Sequence, residues 1–104
     1  GVQIDIDEKT LPLRPGVRTA CELLGLDPLY LGNEGKFIVI AASDSAAELL
    51  AVMRATQPGR DAVLIGRVAP LPTGTKNGRV VLRTAVGGAR LVGPLSGEPL
   101  PRIC

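Results

Sequence analysis

Arg79-Val-Val-Leu-Arg-Thr-Ala-Val86, Gly87-Gly88 and Ala89-Arg-Leu-Val92 form the stretch that decides the fold. Two runs rich in valine and leucine flank a glycine pair. Such runs read as strands, and the pair supplies the positive-φ residues that a tight type I′ hairpin turn requires. A hairpin at this point makes at least one strand pair antiparallel.

Working back from the hairpin, Pro70 to Gly78 holds two prolines, two glycines and Asn77-Gly78, and reads as a loop. Ala62 to Val68 is a further β-rich run. Before it, Ala46, Leu49, Leu50 and Met53 recur at helical spacing. Ser45-Ala-Ala-Glu48 matches a capping box, Ser43 is a competing cap, and Pro58-Gly59 stops that helix after about Thr56. Lys36 to Ala42 contains Phe37, Ile38, Val39 and Ile40 in one apolar run and reads as a buried strand. Gly32-Asn-Glu-Gly35 is a tight loop, and Leu29-Tyr-Leu31 before it reads as a short strand.

At the other end, Val2-Gln-Ile-Asp-Ile6 alternates apolar and polar residues, as a half-buried strand does. Leu11-Pro-Leu-Arg-Pro15 breaks regular structure. Pro15 suits the first turn of a helix, Val17, Ala20, Cys21 and Leu24 share one side, and Gly25 is a C-terminal stop, so a helix is expected over 15–24. The order β-α-β-β-α-β-β-β implies an α/β (α+β) fold: a mixed sheet carrying two helices, over residues 1–94. Pro99 and Pro101 disfavour helix, and residues 95–104 are expected to be an extended tail.

The chain has 104 residues and a mass of 10.8 kDa, which argues for one domain with one core. Hydrophobic residues make up 45% and charged residues 21%, a globular balance. There is no histidine, which excludes His–Ser and His–Cys catalytic pairs and His metal ligands within this chain. Two cysteines alone cannot build a closed structural zinc site. Phe37 and Tyr30 are the only aromatic residues, which argues against base stacking on a nucleic acid. No apolar run approaches the roughly 20 residues of a membrane span, and the chain opens on a strand-like segment instead of a signal peptide. A cytoplasmic, reducing setting with both thiols free is expected. The start at Gly1 suggests a piece of a longer protein.

Charge is unevenly spread. Residues 1–53 hold four basic side chains against eight acids, and residues 54–104 hold eight against two, Asp61 and Glu98. Arg79, Arg83 and Arg90 are therefore either solvated strand positions or an anion site.

Three positions can carry chemistry. Cys104 is the last residue, with two prolines just before it, so an exposed thiol on an extended arm is expected. It is either a functional thiol or an accident of where the chain ends. Cys21 lies on the apolar side of the first helix and reads as a small buried hydrophobe. Glu34 places a carboxylate in a glycine-flanked loop, either as a functional group or as a solvated loop tip.

Leu11-Pro-Leu-Arg-Pro15, Cys21-Glu-Leu-Leu-Gly-Leu-Asp-Pro-Leu29, Asn33-Glu-Gly-Lys36 and Pro101-Arg-Ile-Cys104 together resemble the C-terminal domain of the hydrogenase maturation family HypE. That family is similar to the aminoimidazole ribonucleotide synthetase superfamily, which includes selenophosphate synthetase and thiamine-monophosphate kinase. The resemblance covers nearly the whole chain. The Leu-Gly-Leu-Asp-Pro-Leu and Asn-Glu-Gly-Lys blocks are shared loosely across the superfamily, and the terminal Pro-Arg-Ile-Cys is specific to HypE. It implies an aminoimidazole ribonucleotide synthetase C-terminal-domain-like fold and synthesis of the cyanide ligands of nickel–iron hydrogenases. In the implied scheme, HypF carbamoylates the terminal thiol. HypE then uses ATP to dehydrate the thiocarboxamide to a thiocyanate, and the cyano group passes to iron held by the HypC–HypD complex.

On this resemblance Cys104 matches the carrier, and Glu34 lies in the motif that holds a candidate base. The family's N-terminal domain, with most of the ATP site and the dimer interface, is not in this chain, so the piece is expected not to turn over alone. The alternatives are a non-catalytic acceptor or docking module, or the C-terminal domain of another ATP-using superfamily member. Neither a metal, a nucleic acid nor a membrane is expected as a partner. Residues 95–104 would span roughly 33 Å if fully extended, enough to carry a tethered group between sites.

Overall fold

A computed structural model of the chain describes residues 1–94. Its contacts group into two units. One is formed by residues 1–12 and 47–94, and the other by residues 13–46.

The first unit is built on one four-stranded mixed sheet. β1 (Val2–Asp7) lies in the middle, paired antiparallel with β2 (Gly66–Pro70) on one side and parallel with β3 (Arg79–Arg83) on the other. β4 (Ala89–Val92) pairs antiparallel with β3, so the order is β2-β1-β3-β4. The register sets Gln3 beside Arg79, Asp5 beside Val81 and Asp7 beside Arg83. Because side chains alternate across a sheet, Gln3, Asp5 and Asp7 share one face with Arg67, Arg79, Val81 and Arg83. Ile4, Ile6, Val80 and Leu82 share the other. Leu82 is only 2% exposed and Val81 and Gln3 are also buried, so the core of this unit sits at the β1–β3 junction.

The β2 edge of the sheet explains two local sequence choices. Pro70 is tolerated because it ends an edge strand, where its missing N–H breaks no inner ladder. Gly66 is required by a close backbone approach: a Cβ there would run into the carbonyl oxygen of Asp5.

The second unit contains α1 (Pro15–Leu24), which matches the expected span. Pro15 opens it, and Gly25, at φ 66°, closes it with its N–H directed to the Cys21 carbonyl. The Leu26 N–H reaches the same carbonyl at 2.9 Å. α2 (Ala46–Arg54) joins the two units in sequence. The Ser45 hydroxyl donates to Asp44 at 3.0 Å instead of closing a capping box. After α2, Thr56 donates to the Met53 carbonyl at 2.7 Å and accepts from the Gly59 N–H, which ends the helix as Pro58-Gly59 suggests.

The mixed sheet and two helices agree with the expected fold class, but four local expectations are corrected. The run expected as a strand over Ala62–Val68 is strand only from Gly66, which starts β2, and Ala62 to Ile65 lead into it without strand structure. Leu29–Leu31 is not a strand. Asp27 accepts from the Leu29 N–H at 3.0 Å and Pro28 presets its own φ, so Pro28–Tyr30 forms a single 3-10 turn. The hairpin turn is not type I′. Gly87 alone of the glycine pair has positive φ, at 90°, its N–H bonds Thr84 C=O at 3.1 Å, and Thr84 N–H bonds Gly88 C=O at 2.9 Å. This is the three-residue loop that ends in a left-handed glycine. Lys36–Ala42 is neither a strand nor buried: Phe37 is 77% and Ile38 76% exposed. The physical reason is that the unit formed by residues 13–46 contains no strand among the described residues, so the run has no ladder to join there.

Candidate functional site

The positions singled out by sequence fall in separate places. Glu34 is exposed in the loop after the 3-10 turn, next to Gly35 at φ 75°. The left-handed glycine bends the chain sharply there and leaves the carboxylate on the outside of the loop. Cys104 lies outside the described residues, as does the whole expected tail. Cys21 is a free thiol, 5% exposed on α1, in agreement with its reading as a small buried hydrophobe. Among the described residues no group of three or more Cys, Asp or Glu side chains could hold a metal ion, and no helix is long and apolar enough to cross a membrane.

The most connected polar constellation lies on one face of the sheet, and sequence reasoning missed it. Gln3 Nε2 donates to Asp5 Oδ2 at 2.9 Å, and Arg79 Nε donates to Gln3 Oε1 at 2.6 Å. Arg83 grips Asp5 Oδ1 with Nε at 3.0 Å and Nη2 at 2.7 Å. The Gln3 hydrogen bond is the main influence holding the Asp5 carboxyl below its usual range. Partial desolvation opposes it, and the hydrogen bond and charge of Arg83, with the charge of Arg79, add to it. Glu8, just after β1, accepts from the Ala85 N–H at 2.9 Å and so ties the hairpin to the end of β1. These pairings span more than 70 positions in sequence. The only trace of them in the sequence is the matched two-residue spacing of Gln3/Asp5 and of Arg79/Arg83.

Arg83 is therefore neither a merely solvated cation nor a dedicated anion ligand, since its guanidinium is engaged by Asp5. Beside it, Arg79, Val81, Arg83, Ala89, Arg90 and Leu91 line an open depression of about 220 Å³ on β3 and β4. Its floor is apolar and its rim cationic.

A small mixed sheet with two helices, and an exposed Asn-Glu-Gly-Lys loop ahead of the second helix, define a recognisable class. Residues 1–76 match the family described as AIR synthase related protein, C-terminal domain, and the chain belongs to it. Within that class its similarity is to HypE. It is 50% identical over 104 residues to the carbamoyl dehydratase HypE of Rhodobacter capsulatus, covering 100% of this chain and 29% of that protein. A crystal structure of the hydrogenase maturation protein HypE superimposes with a TM-score of 0.87 at 45% identity, covering 99% of this chain and 33% of that one. HypE solved in complex with ATP gives 0.81 at 40% identity, covering 94% and 30%. A HypE–HypF complex gives 0.77 at 38%, covering 89% and 28%. The chain thus spans 29% of the length of the curated relative with which it shares half its residues.

Proposed function

We propose that the chain acts as the C-terminal domain of a hydrogenase maturation carbamoyl dehydratase, with residues 1–94 as the folded support and 95–104 as the arm that carries Cys104. The observation behind this reading is the match to HypE along the full 104 residues, since it runs through the terminal cysteine as well as the folded part. In this reading Cys104 attacks as the thiolate the carbamoyl carbon of an activated carbamoyl ester held by HypF, so that the S–C bond forms as the carbon–oxygen bond to the ester's phosphate leaving group breaks, and that phosphate departs with HypF. ATP, contacted mainly by an N-terminal domain, would convert the amide oxygen into a phosphate leaving group.

Loss of that group leaves a carbon–nitrogen triple bond once both N–H protons have been removed. The amide oxygen and the two protons end in dihydrogen phosphate beside ADP, so the product on sulfur is a thiocyanate. A carboxylate is a competent acceptor for those protons. Glu34 is the candidate, because it is exposed on a glycine-bent loop where a tethered substrate can approach it. The cyano group would then pass to iron on a HypC–HypD complex. The full-length protein would work in the cytoplasm as a homodimer.

The test is mass spectrometry of the chain after incubation with HypF, carbamoyl phosphate and ATP. A carbamoyl adduct is expected on Cys104, lost in Cys104→Ala, and absent from the buried Cys21. In the full-length protein Glu34→Gln should keep the adduct and block its loss of water. No adduct at Cys104, or an adduct on Cys21, overturns the reading. One alternative is a non-catalytic acceptor module. An adduct that the full-length protein cannot dehydrate with ATP would select that alternative.

A further inference from the structure

The loop before β3 holds a chemically reactive pair of residues. The chain has two asparagines, Asn33 and Asn77, and only Asn77 is followed by glycine. An asparagine side chain closes into a succinimide ring when the main-chain nitrogen of the next residue reaches its Cγ. Glycine carries no side chain to shield that nitrogen or to restrict the backbone rotation that brings it there. At Asn33 the next residue is Glu34, whose side chain hinders the same approach.

The fold leaves Asn77 free to react and places it where its product matters. Asn77 is exposed at a bend, and Gly78 is exposed immediately before β3. Among the described residues the Asn77 side chain has no hydrogen-bond partner, so no such bond has to break before its amide turns toward Gly78. The Gly78 main chain lies against the start of β1. A Cβ built on Gly1 would come within 2.9 Å of the Gly78 nitrogen, and one on Gly78 within 3.3 Å of the Val2 carbonyl oxygen. Arg79, next in sequence, donates through Nε to Gln3 at 2.6 Å and makes no ion pair among the described residues.

We propose that Asn77-Gly78 is a site of spontaneous deamidation whose product loosens the start of the β1–β3 pair. The Gly78 nitrogen, after giving its proton to hydroxide, attacks Asn77 Cγ. The new nitrogen–carbon bond forms as the bond from Cγ to the side-chain nitrogen breaks, and that nitrogen takes a proton from water and leaves as ammonia. Water then opens the ring at either carbonyl. Opening at Cγ gives aspartate, and opening at the main-chain carbonyl gives isoaspartate, whose chain runs through Cγ and is longer by one methylene. The net change is water in and ammonia out, with no oxidant or reductant. Isoaspartate inserts its methylene where Gly78 meets Gly1 and Val2, so the first rungs, Gln3 beside Arg79 and Ile4 beside Val80, take the strain. Both products also set a carboxylate near Arg79, where it competes with Gln3 for the guanidinium. This chemistry is independent of Cys104, so either idea can fail without the other.

The experiment ages the purified chain in mildly alkaline buffer and locates each amide-to-carboxylate conversion by mass spectrometry of the intact, fragmented chain. Protein L-isoaspartate methyltransferase with labelled S-adenosylmethionine measures the isoaspartate share. Conversion at Asn77 should be at least about tenfold faster than at Asn33, a barrier difference of about 1.4 kcal/mol. It should quicken as pH rises, because the attacking nitrogen is the deprotonated one. Asn77→Gln and Gly78→Ala should each suppress it. In the aged chain, hydrogen exchange should quicken at Gln3, Ile4, Arg79 and Val80 more than along β3–β4. Asn77→Asp carries the new charge without the extra methylene and should show much less quickening. Equal conversion at Asn33 and Asn77, a rate unmoved by Gly78→Ala, or unchanged exchange in the aged chain would each overturn the proposal. So would full quickening in Asn77→Asp, which would take the lengthened main chain out of the account.

Discussion

Two stretches of this chain have almost the same β-forming composition and opposite fates. Val80-Val-Leu82 lies inside the sheet with neighbours on both sides, and Leu82 is nearly inaccessible. Phe37-Ile-Val-Ile40 is at least as apolar and β-branched, yet it forms no strand and Phe37 and Ile38 stand largely in water. The difference lies in the availability of a partner. β3 is paired on both sides, by β1 and β4, whereas the unit of residues 13–46 contains no strand among the described residues, and β-propensity expresses a fit to a pleated, half-buried surface more than a property of the backbone.

The sharpest way to break this contrast is at Leu82. Leu82→Ala removes a side chain from the β1–β3 junction and should cost about 2–5 kcal/mol, read as a lower midpoint in denaturant unfolding followed by circular dichroism. A cost below about 1 kcal/mol would mean that the junction is not the core.

Gly66 tests the ladder itself. Gly66→Ala places a methyl group against the Asp5 carbonyl and should cost about 1–3 kcal/mol through forced separation of β1 and β2. Hydrogen exchange should quicken along the β1–β2 pair more than along β3–β4. Uniform quickening would show instead that the sheet opens as one unit.

These two sites also show what could be read from the amino acids alone. α1 was legible from end to end, because Pro15 and Gly25 act within a few residues of themselves. The loop holding Glu34 was legible for the same reason. The turn at Pro28–Tyr30 was misread as a strand because the Asp27 cap outweighs the apolar character of Leu29 and Leu31. The glycine pair announced a hairpin but not its loop length, since only the ladder decides which glycine takes the left-handed state. The Gln3–Asp5–Arg83 constellation could not be found at all. It needs the parallel register of β1 on β3, which is a property of the assembled sheet. Of the site residues, Cys21 and Glu34 fall where their local patterns put them, and Cys104 lies outside the described residues.

Asp5 sharpens the comparison through charge. Its pKa in the fold lies below the ordinary 3.8, because the charged form is held by Gln3 and Arg83. A lowered carboxyl contributes stability that is fully present above the unfolded value and is lost as pH falls through the folded one. Stability should therefore decline with acid below about pH 4, and Asp5→Asn should flatten that decline while lowering stability at neutral pH. Unfolding midpoints of both proteins across this window decide the matter. Parallel curves would remove Asp5 from the network.

The smallest expected effect is the most informative about the contrast. Phe37→Ser and Ile38→Ser alter side chains that are about three-quarters exposed, so each should change stability by no more than about 0.5 kcal/mol. The same substitutions should raise solubility, because an exposed apolar, β-branched run is a template for intermolecular pairing. Light scattering against concentration, set beside denaturant midpoints, separates the two effects. A loss of about 2 kcal/mol or more at either position would place the run in a ladder. The difference between the two stretches would then lie in how tightly each is packed, since both would have a partner.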